Sequence, residues 1–101
     1  MSSFRTAETP DGITVFLDGE IDLERSPAAR KALLAALGRG RALTVDMREV
    51  GYMDSSGIAS LVEAFQKAGA GKLGFRLVHV GPRVLKVLQL ARLDQVFQIA
   101  S

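Results

Sequence analysis

The pattern of hydrophobic and polar positions along the chain predicts short strands that alternate with helices. Five stretches have the alternation or the composition of strands: 4–8, 13–17, 43–47, 75–80 and 96–99. Between them apolar residues recur three and four positions apart, as at Ile58, Leu61 and Phe65, which predicts three helices. The order β-β-α-β-α-β-α-β predicts an α/β fold, with a mixed β-sheet faced by helices in a single domain over residues 1–101.

Turn and capping residues indicate where these elements end. Pro10-Asp11-Gly12 predicts a turn, so the first two strands should form a hairpin with the first strand at a sheet edge. Ser26 and Pro27 predict the start of the first helix, with Ser26 as its N-cap and Pro27 at its first position. Gly38 predicts the end of that helix. The stretch 75–80 is apolar on both faces, which is typical of a central strand.

Composition narrows the class of protein. With 101 residues, 48% hydrophobic and 24% charged, the chain has the composition of one globular domain rather than of a disordered segment. It contains no Cys, which excludes disulfides and thiolate metal sites. No apolar run is long enough for a membrane span, and the first residues lack the features of a signal peptide. We therefore expect a cytoplasmic protein with no cofactor and no metal.

The net charge of +2 conceals an uneven distribution. Four acids alternate along an early segment: Asp18, Glu20, Asp22 and Glu24. Six cations follow one another later with no acid between them: Lys67, Lys72, Arg76, Arg83, Lys86 and Arg92. Two solvated faces are the simpler interpretation, and two docking surfaces are the alternative. Direct nucleic-acid binding is disfavoured, because the cations are scattered and the chain has one Tyr and no Trp for stacking.

The segment Asp54-Ser55-Ser56-Gly57 lies between a predicted strand and a predicted helix. It delivers a carboxylate and two hydroxyls to a helix N-terminus, where unpaired N–H groups and the helix dipole favour an anion. Spacing alone favours the serines as helix caps over serines that accept a phosphate. No nucleophile, base or metal cluster accompanies Glu20 and Asp22, so the sequence does not indicate an enzyme.

Three parts of the chain also carry a family resemblance. Val45-Asp46-Met47 followed by Met53-Asp54-Ser55-Ser56-Gly57-Ile58 resembles the central signature of STAS domains, which the bacterial anti-sigma factor antagonists typify. Gly19-Glu20-Ile21-Asp22 is similar to the other recurring element of the family, and Leu77-Val78-His79-Val80-Gly81-Pro82 also fits it. The resemblance covers nearly the whole chain, in the expected order.

This resemblance implies a module that switches partners. The unphosphorylated domain would bind a GHKL-type serine kinase that doubles as an anti-sigma factor, and so free a sigma factor. The kinase would phosphorylate Ser55, the serine after the motif aspartate, and a separate phosphatase would reset the switch. The implied partner-binding residues are Glu20, Asp22, Met53, Asp54, Ser55, Ser56 and Gly57.

Glu20, Asp22 and the segment 53–57 all follow strands, so we expect them at one exposed end of the domain. Replacing Asp22 with Ala should then weaken partner binding and leave the melting temperature nearly unchanged. The alternative is a structural STAS subunit of a lipid-transport ATPase complex, which would need no phosphorylation. The intact motif at 54–57 favours the antagonist.

Overall fold

The computed structural model describes residues 4–100, and of residues 98 and 100 the backbone alone. Its elements are β1 (Arg5–Thr9), β2 (Gly12–Ile21), α1 (Ser26–Leu37), β3 (Leu43–Met53), α2 (Ser55–Ala70), β4 (Phe75–Val78), α3 (Pro82–Leu90), a 3-10 turn (Leu93–Gln95) and β5 (Gln98–Ala100). This succession confirms the predicted order of strands and helices.

The strands form one mixed sheet in the order β1-β2-β3-β4-β5. β1 is antiparallel to β2 and lies at the edge of the sheet, which confirms the predicted hairpin. The pairs β2–β3, β3–β4 and β4–β5 are all parallel, since a helix lies between the members of each pair. The carboxyl ends of β2, β3 and β4 therefore lie at one edge of the sheet.

A single hydrophobic core joins the inner side of the sheet to all three helices. Residues with no exposed surface at its centre are Val15, Val45, Leu77, Leu33, Leu61 and Leu88. The other side of the sheet is accessible, because Arg76 is exposed and its Nε donates to Thr44 Oγ1 over 3.1 Å. The predicted strand at 75–80 is confirmed as β4, an inner strand between β3 and β5, but it ends at Val78 and is apolar on one face only.

β3 continues for six residues beyond its predicted end at Met47 and reaches Met53. The extension pairs with the last part of β2, where Asp18 is opposite Glu49 and Ile21 is opposite Met53. Two register shifts interrupt this pairing, so the alternation of apolar and polar residues is lost there. That loss explains why the sequence pattern predicts the strand only as far as Met47.

The start of α1 differs from the prediction. Ser26 lies inside the helix and is 7% exposed, whereas the N-cap position is occupied by Arg25, which makes no side-chain cap bond. Asp22 instead holds the turn before the helix: its Oδ1 accepts the N–H groups of Glu24 and Arg25, each over 3.1 Å. Gly38 is the C-cap residue, which confirms the predicted end.

Gly57, in the first turn of α2, is in close contact with the end of the sheet. A Cβ at this position would lie 2.6 Å from the carbonyl O of Ile21 and 2.5 Å from Cγ of Met53. We expect Gly57→Ala to lower the free energy of unfolding by about 1–3 kcal/mol, because backbone must move to admit the methyl group. Urea denaturation measures this change.

Gly69 in the same helix is the matched control, since nothing lies within 4 Å of a Cβ built there. Gly69→Ala should stabilise the fold by roughly 0.5–1 kcal/mol through reduced backbone entropy of the unfolded chain. Equal effects of the two substitutions would contradict the close packing of Gly57.

Candidate functional site at the start of α2

The ends of β2 and β3 bring the two segments of the predicted site together. Glu20 is opposite Tyr52 and Ile21 is opposite Met53 in the parallel pairing. The next residue, Asp54, donates its N–H to the carbonyl O of Ile21 over 3.2 Å. Glu20, Asp22 and the segment 53–57 therefore lie at the same end of the domain, as the sequence predicts.

Asp54 is the N-cap of α2 and has an extended backbone. Its Oδ1 accepts three hydrogen bonds: from the Ser56 hydroxyl over 2.6 Å, from the Ser56 N–H over 2.9 Å and from the Gly57 N–H over 3.1 Å. The Ser56 hydroxyl is the main cause that lowers the pKa of Asp54, and the N–H of Gly57 is the next. Asp54 is therefore a carboxylate at neutral pH.

The two motif serines have different environments. The Ser56 hydroxyl is bound to Asp54, and the residue is half-buried. Ser55 is exposed at the first position of the helix, and no hydrogen bond of its hydroxyl is found within residues 4–100. The sequence alone could not separate them, whereas the structure leaves Ser55 as the accessible hydroxyl.

Met53 and Gly57 lie beneath this surface. Met53 is 1% exposed and belongs to the core, and Gly57 is buried against Ile21. Neither presents a side chain to a partner, which corrects their assignment as partner contacts. Their role is structural, since they allow the start of α2 to approach the end of the sheet.

The acidic segment 18–24, which begins in the last part of β2, is held by hydrogen bonds from Arg25. Arg25 bonds Oδ1 of Asp18 through Nη2 over 2.9 Å and the Asp18 carbonyl O through Nη1 over 2.6 Å. Gly19 in this segment has φ +72, a left-handed conformation that glycine adopts without strain.

Within this segment, Glu20 and Asp22 have different roles. Glu20 is exposed, so its carboxylate is available to a partner. Asp22 is half-buried and its carboxylate holds the turn at residues 22–25 that leads into α1. The expectation that Asp22→Ala leaves the melting temperature unchanged is therefore wrong in its premise, because the substitution removes the acceptor of two N–H groups.

Two apolar residues of the site escaped the sequence analysis. Leu23 is 77% exposed between Asp22 and Glu24, and Tyr52 is 36% exposed with the Arg83 guanidinium 5.6 Å from its ring centroid. An apolar residue inside an alternating acidic run was the available signal for Leu23. Tyr52 gave none, because it falls where the strand pattern is interrupted.

The part of the chain that the structure describes contains no candidate metal site. Over residues 4–100 there is no group of three His, Cys, Asp or Glu side chains that could hold a metal ion. His79 is exposed at the end of β4, where its Nε2 lies 2.9 Å from Nη2 of Arg48. No helix within these residues is long and apolar enough to cross a membrane. What the site offers is a charged surface with one accessible serine hydroxyl, that of Ser55.

Known proteins share this architecture. The family model described as STAS domain matches residues 4–101. The anti-sigma-B factor antagonist of Listeria monocytogenes is 30% identical over 92 residues, which span 90% of this chain and 81% of that protein. An anti-sigma factor antagonist from Mycobacterium paratuberculosis superposes with a TM-score of 0.85 at 26% identity, covering 96% of this chain and 83% of the other.

The Bacillus cell fate determinant SpoIIAA in its phosphorylated form has a TM-score of 0.74. It is 22% identical, with coverage of 98% of this chain and 92% of that one. At this identity the likeness shows the fold alone.

The lowered pKa of Asp54 makes part of the stability of the fold sensitive to acid. The pKa of Asp54 is lower in the folded state than in the unfolded chain, where an Asp titrates at about 3.9. Its carboxylate therefore stabilises the fold fully above that pH, and the stabilisation is lost as the pH falls through the folded pKa. Asp54→Asn retains a cap oxygen that does not titrate. We expect the wild type to melt higher at neutral pH, with the difference shrinking below about pH 4.

Thermal unfolding across this pH range measures the difference. Glu63, whose pKa is lowered by its bond with Arg30, titrates in both proteins and cancels from the comparison. A difference that stays constant at every pH would show that the Asp54 charge does not stabilise α2.

Proposed function

This chain belongs to the STAS domain family, and we propose that it is an anti-sigma factor antagonist that works by partner switching. In its unphosphorylated form it binds a GHKL-type serine kinase that also acts as an anti-sigma factor. Phosphorylation of Ser55 releases the kinase, and a phosphatase restores the hydroxyl. The observation that carries the proposal is the exposed Ser55 hydroxyl beside the Asp54 carboxylate at the start of α2.

Charge explains why phosphorylation would release a partner. A phosphoserine carries about −1.5 to −2 charges at neutral pH. On Ser55 it would stand next to ionised Asp54 and at the same end of the domain as Glu20. A partner surface that accepts a neutral hydroxyl would then meet a dianion among carboxylates, so repulsion and desolvation would oppose binding.

The fold tolerates the same modification. Ser55 is exposed at the first position of α2, so its modification displaces no core side chain. An anion at this place is favoured by the positive end of the helix dipole. Affinity for the partner can therefore fall while the domain stays folded, as a reversible switch requires.

The relatives support this proposal through their names. The Listeria relative is named an anti-sigma-B factor antagonist. The mycobacterial structure is that of an anti-sigma factor antagonist. The phosphorylated form of SpoIIAA has the same fold as this chain. A sigma-factor pathway would place the protein in the cytoplasm.

The phosphate acceptor is tested by single substitutions. The cognate kinase is identified as the GHKL-type protein that co-purifies with the wild-type chain. It is then purified separately. Incubated with this kinase and ATP, the wild type and Ser56→Ala should gain one phosphate, and Ser55→Ala should gain none. Peptide mass spectrometry locates the phosphate. Modification at Ser56, or unchanged modification of Ser55→Ala, would refute the assignment.

The effect of charge on affinity needs no phosphorylation. Ser55→Asp should weaken binding to the kinase by about 1–3 kcal/mol, roughly 5- to 150-fold, because a carboxylate is added beside Asp54. Gln66→Asp adds the same charge at an exposed position near the other end of α2 and should change the affinity less than about threefold. Isothermal titration calorimetry gives both values.

Tight binding of Ser55→Asp would contradict the switch. It would favour a structural STAS subunit, in which the same surface docks a partner without phosphorylation.

A further inference from the structure

Leu23 is an exposed apolar side chain at the edge of the proposed kinase-binding surface, and 77% of it is accessible to solvent. We propose that Leu23 is the apolar contact of that surface and inserts into an apolar pocket of the kinase whose rim is basic. The proposal rests on the function proposed above, and it names a residue that determines which partner is bound.

The backbone around Leu23 is fixed before any partner arrives. Oδ1 of Asp22 accepts the N–H groups of Glu24 and Arg25, and the Asp22 carbonyl O accepts the Ser26 N–H over 2.7 Å. Arg25 is in turn bound to Asp18. A side chain on a turn held in this way binds with little further loss of backbone entropy.

The turn is also adjacent to the phosphate acceptor. The Leu23 N–H lies near the Asp54 carboxylate and is the smallest of the contributions that lower its pKa. The Asp54 N–H is bound to the carbonyl O of Ile21, two residues before Leu23. A phosphate on Ser55 would therefore lie close to Leu23. Burial of Leu23 in a partner would then also remove water from the phosphate, which is costly for a charged group.

Charges around Leu23 indicate the chemistry of the partner. Asp22 and Glu24 flank it in the chain, and Glu20 is exposed at the same end of the domain. The cation within this segment, Arg25, is already bound to Asp18. An apolar side chain framed by carboxylates fits a pocket with apolar walls and basic residues at its rim.

Leu90 provides a matched control, because it is also 77% exposed but lies at the end of α3. Leu23→Ala should weaken binding of the purified kinase by about 10-fold or more, from the apolar area that burial removes from water. Leu90→Ala should change it by less than about twofold. Both variants should melt like the wild type, since neither side chain is packed.

Kinetics of phosphorylation provide a readout that a purely structural effect would not give. Leu23→Ala should raise the KM of the kinase for this chain and leave kcat nearly unchanged, because Leu23 is not part of the reacting group. Leu23→Met, which conserves volume and apolar character, should restore most of the affinity.

The possible failures can be distinguished. If the wild type neither binds the kinase nor is phosphorylated, the proposed function fails and the role of Leu23 fails with it. If the wild type binds and is phosphorylated while Leu23→Ala behaves like Leu90→Ala, the role of Leu23 alone is overturned.

Discussion

The site depends on the junction that Asp54 makes between the sheet and α2. Its backbone N–H bonds the last carbonyl of β2, at Ile21, and its carboxylate accepts the N–H groups of Ser56 and Gly57. One residue therefore joins the ends of β2 and β3 to the first turn of a helix. The position of the Ser55 hydroxyl follows from that junction, because the helix begins at the next residue.

Around this junction, buried residues support the site and exposed residues are available to a partner. Met53 and Gly57 are buried where α2 packs against the end of the sheet, and there is no room for a side chain at Gly57. Ser55, Glu20 and Leu23 are exposed. A phosphate on Ser55, or a partner bound to Glu20 and Leu23, would therefore not disturb the packing of the core. This separation would allow the proposed binding surface to be switched while the core below it stays the same.

The order of elements could be predicted from the sequence because the spacing of apolar residues follows the core. Val45 and Met47 alternate as a strand should, and Ile58, Leu61 and Phe65 have helical spacing. Prediction failed at 48–53, where register shifts break the alternation and leave a strand without its period. For 75–80 the strand was predicted correctly but its exposed face was not, since an apolar run does not reveal which of its residues will face solvent.

At the site, residue types could be predicted but not their division of labour. The motif indicated Asp54 and both serines, yet only the geometry shows that Asp54 holds the Ser56 hydroxyl and leaves that of Ser55 accessible. Asp22 was expected to be a free surface charge, whereas its carboxylate holds the turn that leads into α1. Such roles depend on contacts between segments, which local spacing does not encode.

The central claim is that a phosphate on Ser55 changes the surface of this domain and not its fold. The amide NMR spectrum of the isotope-labelled chain, compared before and after complete phosphorylation of Ser55, tests it most directly. The account predicts chemical-shift changes confined to residues 18–24 and to the start of α2. The amide signals of Val45 and Leu77 in the core should not move. Shifts spread through the core strands, or a collapse of signal dispersion, would contradict it.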